Sequence, residues 1–153
     1  MLKSRTTRRA VLGALCLAGV GGAAYSKFAL RVNSGLGTLS PPEALEAMQD
    51  GDLVMVDVRR PDEWASTGIA AGAFPIDMRR DDFAAEVKTL MDRFPDAAVA
   101  FICARGVRSR RVTAQMEEIG LANQIIDVPE GMLGSSAGPG WLKRGLPLDQ
   151  VQS

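Results

Sequence analysis

One cysteine and two arginines crowd the stretch Phe101-Ile102-Cys103-Ala104-Arg105-Gly106-Val107-Arg108-Ser109. Val99 to Ile102 is a short apolar run of the kind that forms a buried strand. Ser109 to Ile119 has the spacing of a helix, with Val112, Met116 and Ile119 on one face. A strand that ends in a short loop opening into a helix gathers backbone N–H groups around one point, and the helix N-terminus adds positive potential there. A thiol at that point is expected to ionise more easily than a free one, and thiolate is the nucleophile. The chain has no histidine. A Cys–His dyad is therefore excluded, and activation falls to amides, the helix end and arginines. A free cysteine often does no more than pack at a strand end. The neighbours Arg105, Gly106 and Arg108 point instead to a nucleophile.

The other elements follow from the same reading. Ser40-Pro41-Pro42-Glu43 opens a helix as an N-cap, a first-turn proline and a capping-box glutamate, and Gly51 ends it. Leu53 to Val58 is nearly all apolar and reads as a central parallel strand, with Asp57 near its end. Pro61-Asp62-Glu63-Trp64 opens a helical turn. Phe74 to Ile76 is a short strand, and Asp81 to Phe94 a helix with Phe83, Val87, Leu90, Met91 and Phe94 at helical spacing. Gln124 to Val128 is a further strand. Glu130 to Gly140, rich in Gly and Ser, reads as a mobile loop. Strands alternating with helices give an α/β fold with a parallel sheet, whose ligands bind beyond the carboxyl ends of the strands. Cys103 lies at one such end, and Asp57 with Arg59 close another.

Composition narrows the chemistry. At 153 residues and 46% hydrophobic, the chain suits one ordinary globular domain. Four of its eighteen basic residues, and none of its eighteen acidic ones, lie in residues 1–26, so the rest is net negative by four charges. Nucleic-acid binding through bulk charge is not expected. The local cluster Arg105, Arg108, Arg110 and Arg111 suits a small anion. Cys16 lies in the N-terminal apolar segment and leaves one thiol in the domain, so neither an internal disulfide nor a Cys/His metal site can form there. Residues 1–26 read as an export signal. Thr7-Arg8-Arg9-Ala10-Val11-Leu12 is of the twin-arginine type, and Ala24-Tyr25-Ser26 suits cleavage before Lys27. That places the domain in the periplasm. The alternative is an uncleaved inner-membrane anchor, although the apolar run from Ala10 to Ala24 is shorter than the ~20 residues that span a bilayer.

Along residues 38–149 the sequence resembles the rhodanese-like sulfurtransferases. Leu53-Val54-Met55-Val56-Asp57-Val58-Arg59 is similar to the first strand of that family, and Glu63-Trp64 and Gly72-Ala73 to the segment after it. Cys103, Gly106, Arg108 and Ser109 match the active-site loop C-x-x-G-x-R-S, and Trp141, Gly145 and Pro147 the closing segment. The resemblance implies a single α/β domain with a five-stranded parallel sheet flanked by helices, and no cofactor or metal. It implies transfer of a sulfane sulfur from thiosulfate, or a related small anionic donor, through a Cys103 persulfide to a thiophilic acceptor such as cyanide or a thiol. Ala104, Arg105, Gly106, Val107, Arg108 and Ser109 would bind the substrate, the amides of Ala104 to Arg108 holding the persulfide and Arg105 facing the sulfonate. Arg108 would brace the loop, and Asp57 and Arg59 would support it. The sequence departs from the family in placing Ile69 after Gly68, where many members have histidine, and in separating Gly131 from Gly134.

Two other functions fit a cysteine cradle. An arsenate reductase or phosphatase would use a loop one residue longer, C-x5-R, to surround a tetrahedral oxyanion, whereas Arg108 comes five residues after Cys103. A non-catalytic or sulfur-carrying module would bind a partner protein. Trp141 reads as a packing anchor, Arg79 and Arg80 with Asp81 and Asp82 as a solvated turn, and Arg110 and Arg111 as an exposed helix face.

Overall fold

The computed structural model describes residues 37–121 and 125–151. The expected export signal, residues 1–26, and the expected strand start at Gln124 lie outside the described residues. The first helix, α1 (Pro41–Asp50), begins as its sequence dictates. The Glu43 carboxylate accepts the Ser40 N–H at 3.0 Å and the Ser40 hydroxyl at 2.8 Å, and Gly51 ends the helix in the left-handed region at φ 82°. Strand β1 (Leu53–Asp57) follows, buried along its whole length. Next come α2 (Pro61–Thr67), β2 (Ile69–Ala70), β3 (Phe74–Pro75) and α3 (Phe83–Arg93). The second half holds β4 (Ala98–Ile102), α4 (Val107–Met116), β5 (Ile125–Asp127), α5 (Gly140–Lys143) and β6 (Leu148–Asp149).

The main sheet is parallel, in the order β3-β1-β4-β5. Met55 pairs with Ala100 and Phe101 with Asp127. Among the described residues it has four strands and not the expected five. The fifth position, beside β5, is held by a single parallel bridge from Thr38 to Asp127, because Ser40 starts α1 before the lead-in can pair further. β2 and β6 pair apart from this sheet, antiparallel, which ties the end of the chain to its middle.

Alternation along β1 and β4 sends side chains into two apolar layers. On one face Met55, Ala100, Ile102 and Ile126 pack with Ala44 of α1 and Trp141 of α5. On the other, Val56, Val99, Phe101 and Ile125 pack against Phe83, Val87 and Leu90 of α3 and Val112 and Met116 of α4. Trp141 is fully buried, as its role as an anchor requires, and its indole N–H donates to the Pro147 carbonyl at 2.8 Å.

Two expectations about elements change. α4 starts at Val107, two residues before the expected start, because Gly106 at φ 80° turns the chain directly into the helix. The same helix widens after Met116 into a turn that ends near Gly120 at φ 89°. That turn carries Ile119 off the apolar face, and Ile119 is 62% exposed. Among the described residues no helix is long and apolar enough to cross a membrane.

Candidate active site

Cys103 is the residue after β4, and the strand's burial fixes where its side chain lies. Phe101 and Cys103 share one face, so the thiol belongs to the layer under α4, and Cys103 is 1% exposed. The loop curls back over it. The Gly106 N–H donates to Cys103 Sγ at 3.2 Å. Only glycine serves at position 106. Its φ is 80°, and a Cβ there would sit 2.1 Å from the Pro129 carbonyl oxygen.

The loop is held from below by the segment after β5. The Met132 N–H donates to the Cys103 carbonyl and the Leu133 N–H to the Ala104 carbonyl, both at 2.8 Å. Glu130 to Gly140 is therefore not the loose loop its composition suggests. Its glycines serve sharp turns, with positive φ at Gly131, Gly134 and Gly140. Glu130, buried, accepts the Gly140 N–H at 2.9 Å and pairs with Arg144 at 2.8 Å. Burial works against the Glu130 charge, but Arg144 and the Gly140 N–H outweigh it and hold the carboxyl below its usual range.

Arg108 points from the first turn of α4 to Glu63 on α2, making two hydrogen bonds of 2.6 Å. This bidentate pair ties the cysteine loop to the element after β1. The Arg108 bonds are the largest cause holding the Glu63 carboxyl at about 2, against a partial opposing effect of burial. In return the bonds to Glu63 raise the Arg108 guanidinium above its usual range, against a smaller opposing effect of burial. Asp57 and Arg59 form a second, fully buried pair at 2.7 Å. Arg59 extends it to the Gly68 carbonyl at 2.7 Å and the Thr67 hydroxyl at 2.8 Å, fastening the far end of α2.

The remaining residues of the loop divide by exposure. Arg105 is exposed at the rim, Val107 is 76% exposed, Ala104 is half-buried and Ser109 is fully buried. Arg110 and Arg111 lie on the open side of α4. Arg79, exposed, pairs with the buried Asp77, and Arg80 pairs with Asp82 at 2.7 Å on exposed surface. Sequence reasoning missed the partnership of Glu63 with Arg108. Glu63 sits at the third position of α2, where a carboxylate is expected for capping alone, and it does accept the Arg60 N–H at 3.1 Å. It also missed Glu130 and Asp127, although a charge within Ile125-Ile126-Asp127-Val128 is a visible signal. A cavity of about 470 Å³ lined by Leu45, Met48, Leu53 and Phe94 lies at the amino end of β1, away from Cys103.

This arrangement offers a seated sulfur atom at a helix start, with a fixed guanidinium nearby and a free one at the rim. The rhodanese-like domain model matches residues 40–137, which include Cys103, its loop and Glu63, with α5 and Arg144 beyond its end. The chain belongs to the rhodanese-like family. A thiosulfate sulfurtransferase from Pseudomonas aeruginosa is similar at 22% identity and TM-score 0.59, over 88% of this chain and 24% of that one. A rhodanese-related protein from Thermoplasma volcanium has 24% identity and TM-score 0.57, over 74% and 98%. The polysulfide-sulfur transferase homodimer from Wolinella succinogenes has 24% identity and TM-score 0.53, over 88% and 96%. These likenesses are likenesses of fold. A search of the curated proteins finds no significant match. Membership supports a role of the sulfurtransferase kind for this rhodanese-like domain.

Proposed function

We propose that the protein moves a sulfane sulfur from thiosulfate, or a related small anion, to a thiophilic acceptor through a persulfide on Cys103. The observation that carries this reading is the Gly106 N–H aimed at Cys103 Sγ. An amide donor favours sulfur bearing negative charge over a neutral thiol. The Cys103 thiolate attacks the outer sulfur of thiosulfate. The S–S bond of the donor breaks, its electron pair leaves with sulfite, and Cys103 keeps one added sulfur. Cyanide or a thiolate then attacks that outer sulfur, and the pair of the persulfide bond returns to Cys103 as thiolate. No net oxidation occurs. Ala104 to Arg108 supply amides for the added sulfur, Arg105 meets the anionic donor at the rim, and Arg108 is the brace.

The short cradle supports sulfur over a tetrahedral oxyanion, since Arg108 is turned to Glu63 and not over the cysteine. Residues 1–26 support export to the periplasm, with the same segment as an inner-membrane anchor if it is retained. The test is intact mass. Thiosulfate should add about 32 Da, one sulfur on one nucleophile. Cyanide should remove it, and Cys103→Ser should abolish both events while the domain stays folded. Persulfide formation that survives Cys103→Ser would end this reading.

A further inference from the structure

β5 carries one residue that an apolar strand does not account for. Ile125 packs with Val112 and Met116 of α4. Side chains alternate along a strand, so Asp127 faces the same way. It is 4% exposed. Its backbone is fixed by the lead-in, with the Asp127 N–H donating to the Gly37 carbonyl at 2.7 Å and the Leu39 N–H to the Asp127 carbonyl at 3.0 Å. The side chain therefore has no easy route to solvent.

α4 turns Ser109 and Thr113 inward, one helical turn apart and both buried. Asp127 Oδ1, Ser109 Oγ and Thr113 Oγ1 are all buried without a hydrogen-bond partner. Ser109 is close enough to favour the Asp127 charge, yet falls short of hydrogen-bond geometry. Each buried polar group left unpaired costs about 1–3 kcal/mol. Three such atoms between two packed elements call for a shared proton. Two hydroxyls and a carboxylic acid supply three donors and ample acceptors.

Among the described residues, α4 brings Ser109 and the exposed Arg110 to Asp127 and turns Thr113 inward one turn further on, β4 sets the apolar Phe101 beside it, and the lead-in brings Gly37, Thr38 and Leu39. Ser109, Arg110 and the Val128 N–H favour the carboxylate. Burial is the larger effect and pushes the carboxyl above its usual range.

We propose that Asp127 is a positioning residue for the cysteine loop: as a neutral acid it shares protons with Ser109 and Thr113 and seats the first turn of α4, and its ionisation unseats that turn. The path to the sulfur is short. Ser109 lies three residues after Gly106, whose N–H meets Cys103 Sγ. A shift of the turn moves the amides around the thiol. The inference deepens the sulfurtransferase reading and rests on it for its purpose, yet alkylation needs only the thiol and no sulfur donor.

The test is the rate of Cys103 alkylation by iodoacetamide in the full chain, followed on the Cys103 peptide by mass so that Cys16 does not interfere. It is measured across the titration ranges of carboxyl and thiol groups. The wild type should show two inflections, and Asp127→Asn should lose the lower one. Thr113→Val removes a donor to the carboxylate and should move the lower inflection to higher pH. A single inflection in the wild type would overturn the proposal, as would an Asp127→Asn profile that superimposes on it. If Asp127→Asn does not fold, a lower inflection left in place by Thr113→Val overturns it as well.

Discussion

Replacing Glu63 with glutamine keeps its shape and removes its charge, which isolates the tie between α2 and the cysteine loop. The Glu63 carboxyl is held at about 2 from an ordinary 4.5, chiefly by its bonds to Arg108. At about 1.4 kcal/mol per pH unit the full displacement corresponds to roughly 3 kcal/mol. Glu63 and Arg108 are 23% and 29% exposed, so water screens part of this. The expected loss at neutral pH is about 1–2 kcal/mol. For a domain of this size that lowers Tm by roughly 4–9 °C. The sign with pH follows from the lowered carboxyl. Its stabilisation is fully present above the unfolded value near 4.5 and is lost as pH falls toward about 2. The gap in Tm between wild type and Glu63→Gln should therefore close across that window. Other lowered carboxyls, such as those of Asp77 and Glu130, are common to both proteins and cancel in the difference. Equal Tm at neutral pH, or a gap unchanged down to about pH 2, would refute this account of the pair. Sulfite release from thiosulfate should fall on the order of tenfold, the kinetic equivalent of about 1.4 kcal/mol.

Gly106→Ala would place a Cβ 2.1 Å from the Pro129 carbonyl oxygen in a left-handed residue. It should abolish the persulfide mass shift and destabilise the domain by about 1–3 kcal/mol in urea titration; wild-type values for both would show that the loop adapts. Glu130→Ala strands Arg144 and the Gly140 N–H. Limited proteolysis should then cut within Ser135 to Gly140 faster than in the wild type, and an unchanged rate would mean that the turns hold without the carboxylate. Arg8→Lys with Arg9→Lys should leave the protein in the cytoplasm on cell fractionation, and undiminished export would exclude the twin-arginine route.

The parallel sheet was legible because its strands are nearly unbroken apolar runs, and Val99 to Ile102 differs from the observed β4 by one residue. The helix starts were legible where capping chemistry is local, as at Ser40 and Glu43. Irregular backbone was not. The two-residue start error at α4 comes from Gly106, whose left-handed turn is set by the close approach of Pro129, a contact across the fold. Ile119 was placed on the apolar face because helical spacing does not foresee the widened turn after Met116. Glycine and serine in 130–140 gave the wrong impression of looseness, since the carboxylate of Glu130 and the carbonyls of Cys103 and Ala104 hold that stretch from outside its own sequence. In the site, Cys103 and its loop stood out by local chemistry. The partner of Arg108 lies 45 residues away on another element, where no spacing rule reaches.

The hydrogen bonds from Met132 and Leu133 to the carbonyls of Cys103 and Ala104 also set an order of assembly. A ribosome delivers Cys103 before the residues that seat it, and both before Leu148 and Asp149 close over Ile69 and Ala70. During synthesis the thiol is an ordinary cysteine on an incomplete chain. Its surroundings are finished only when the stretch through Leu133 has followed it, so the seat of the thiol is built from chain made later than the thiol itself.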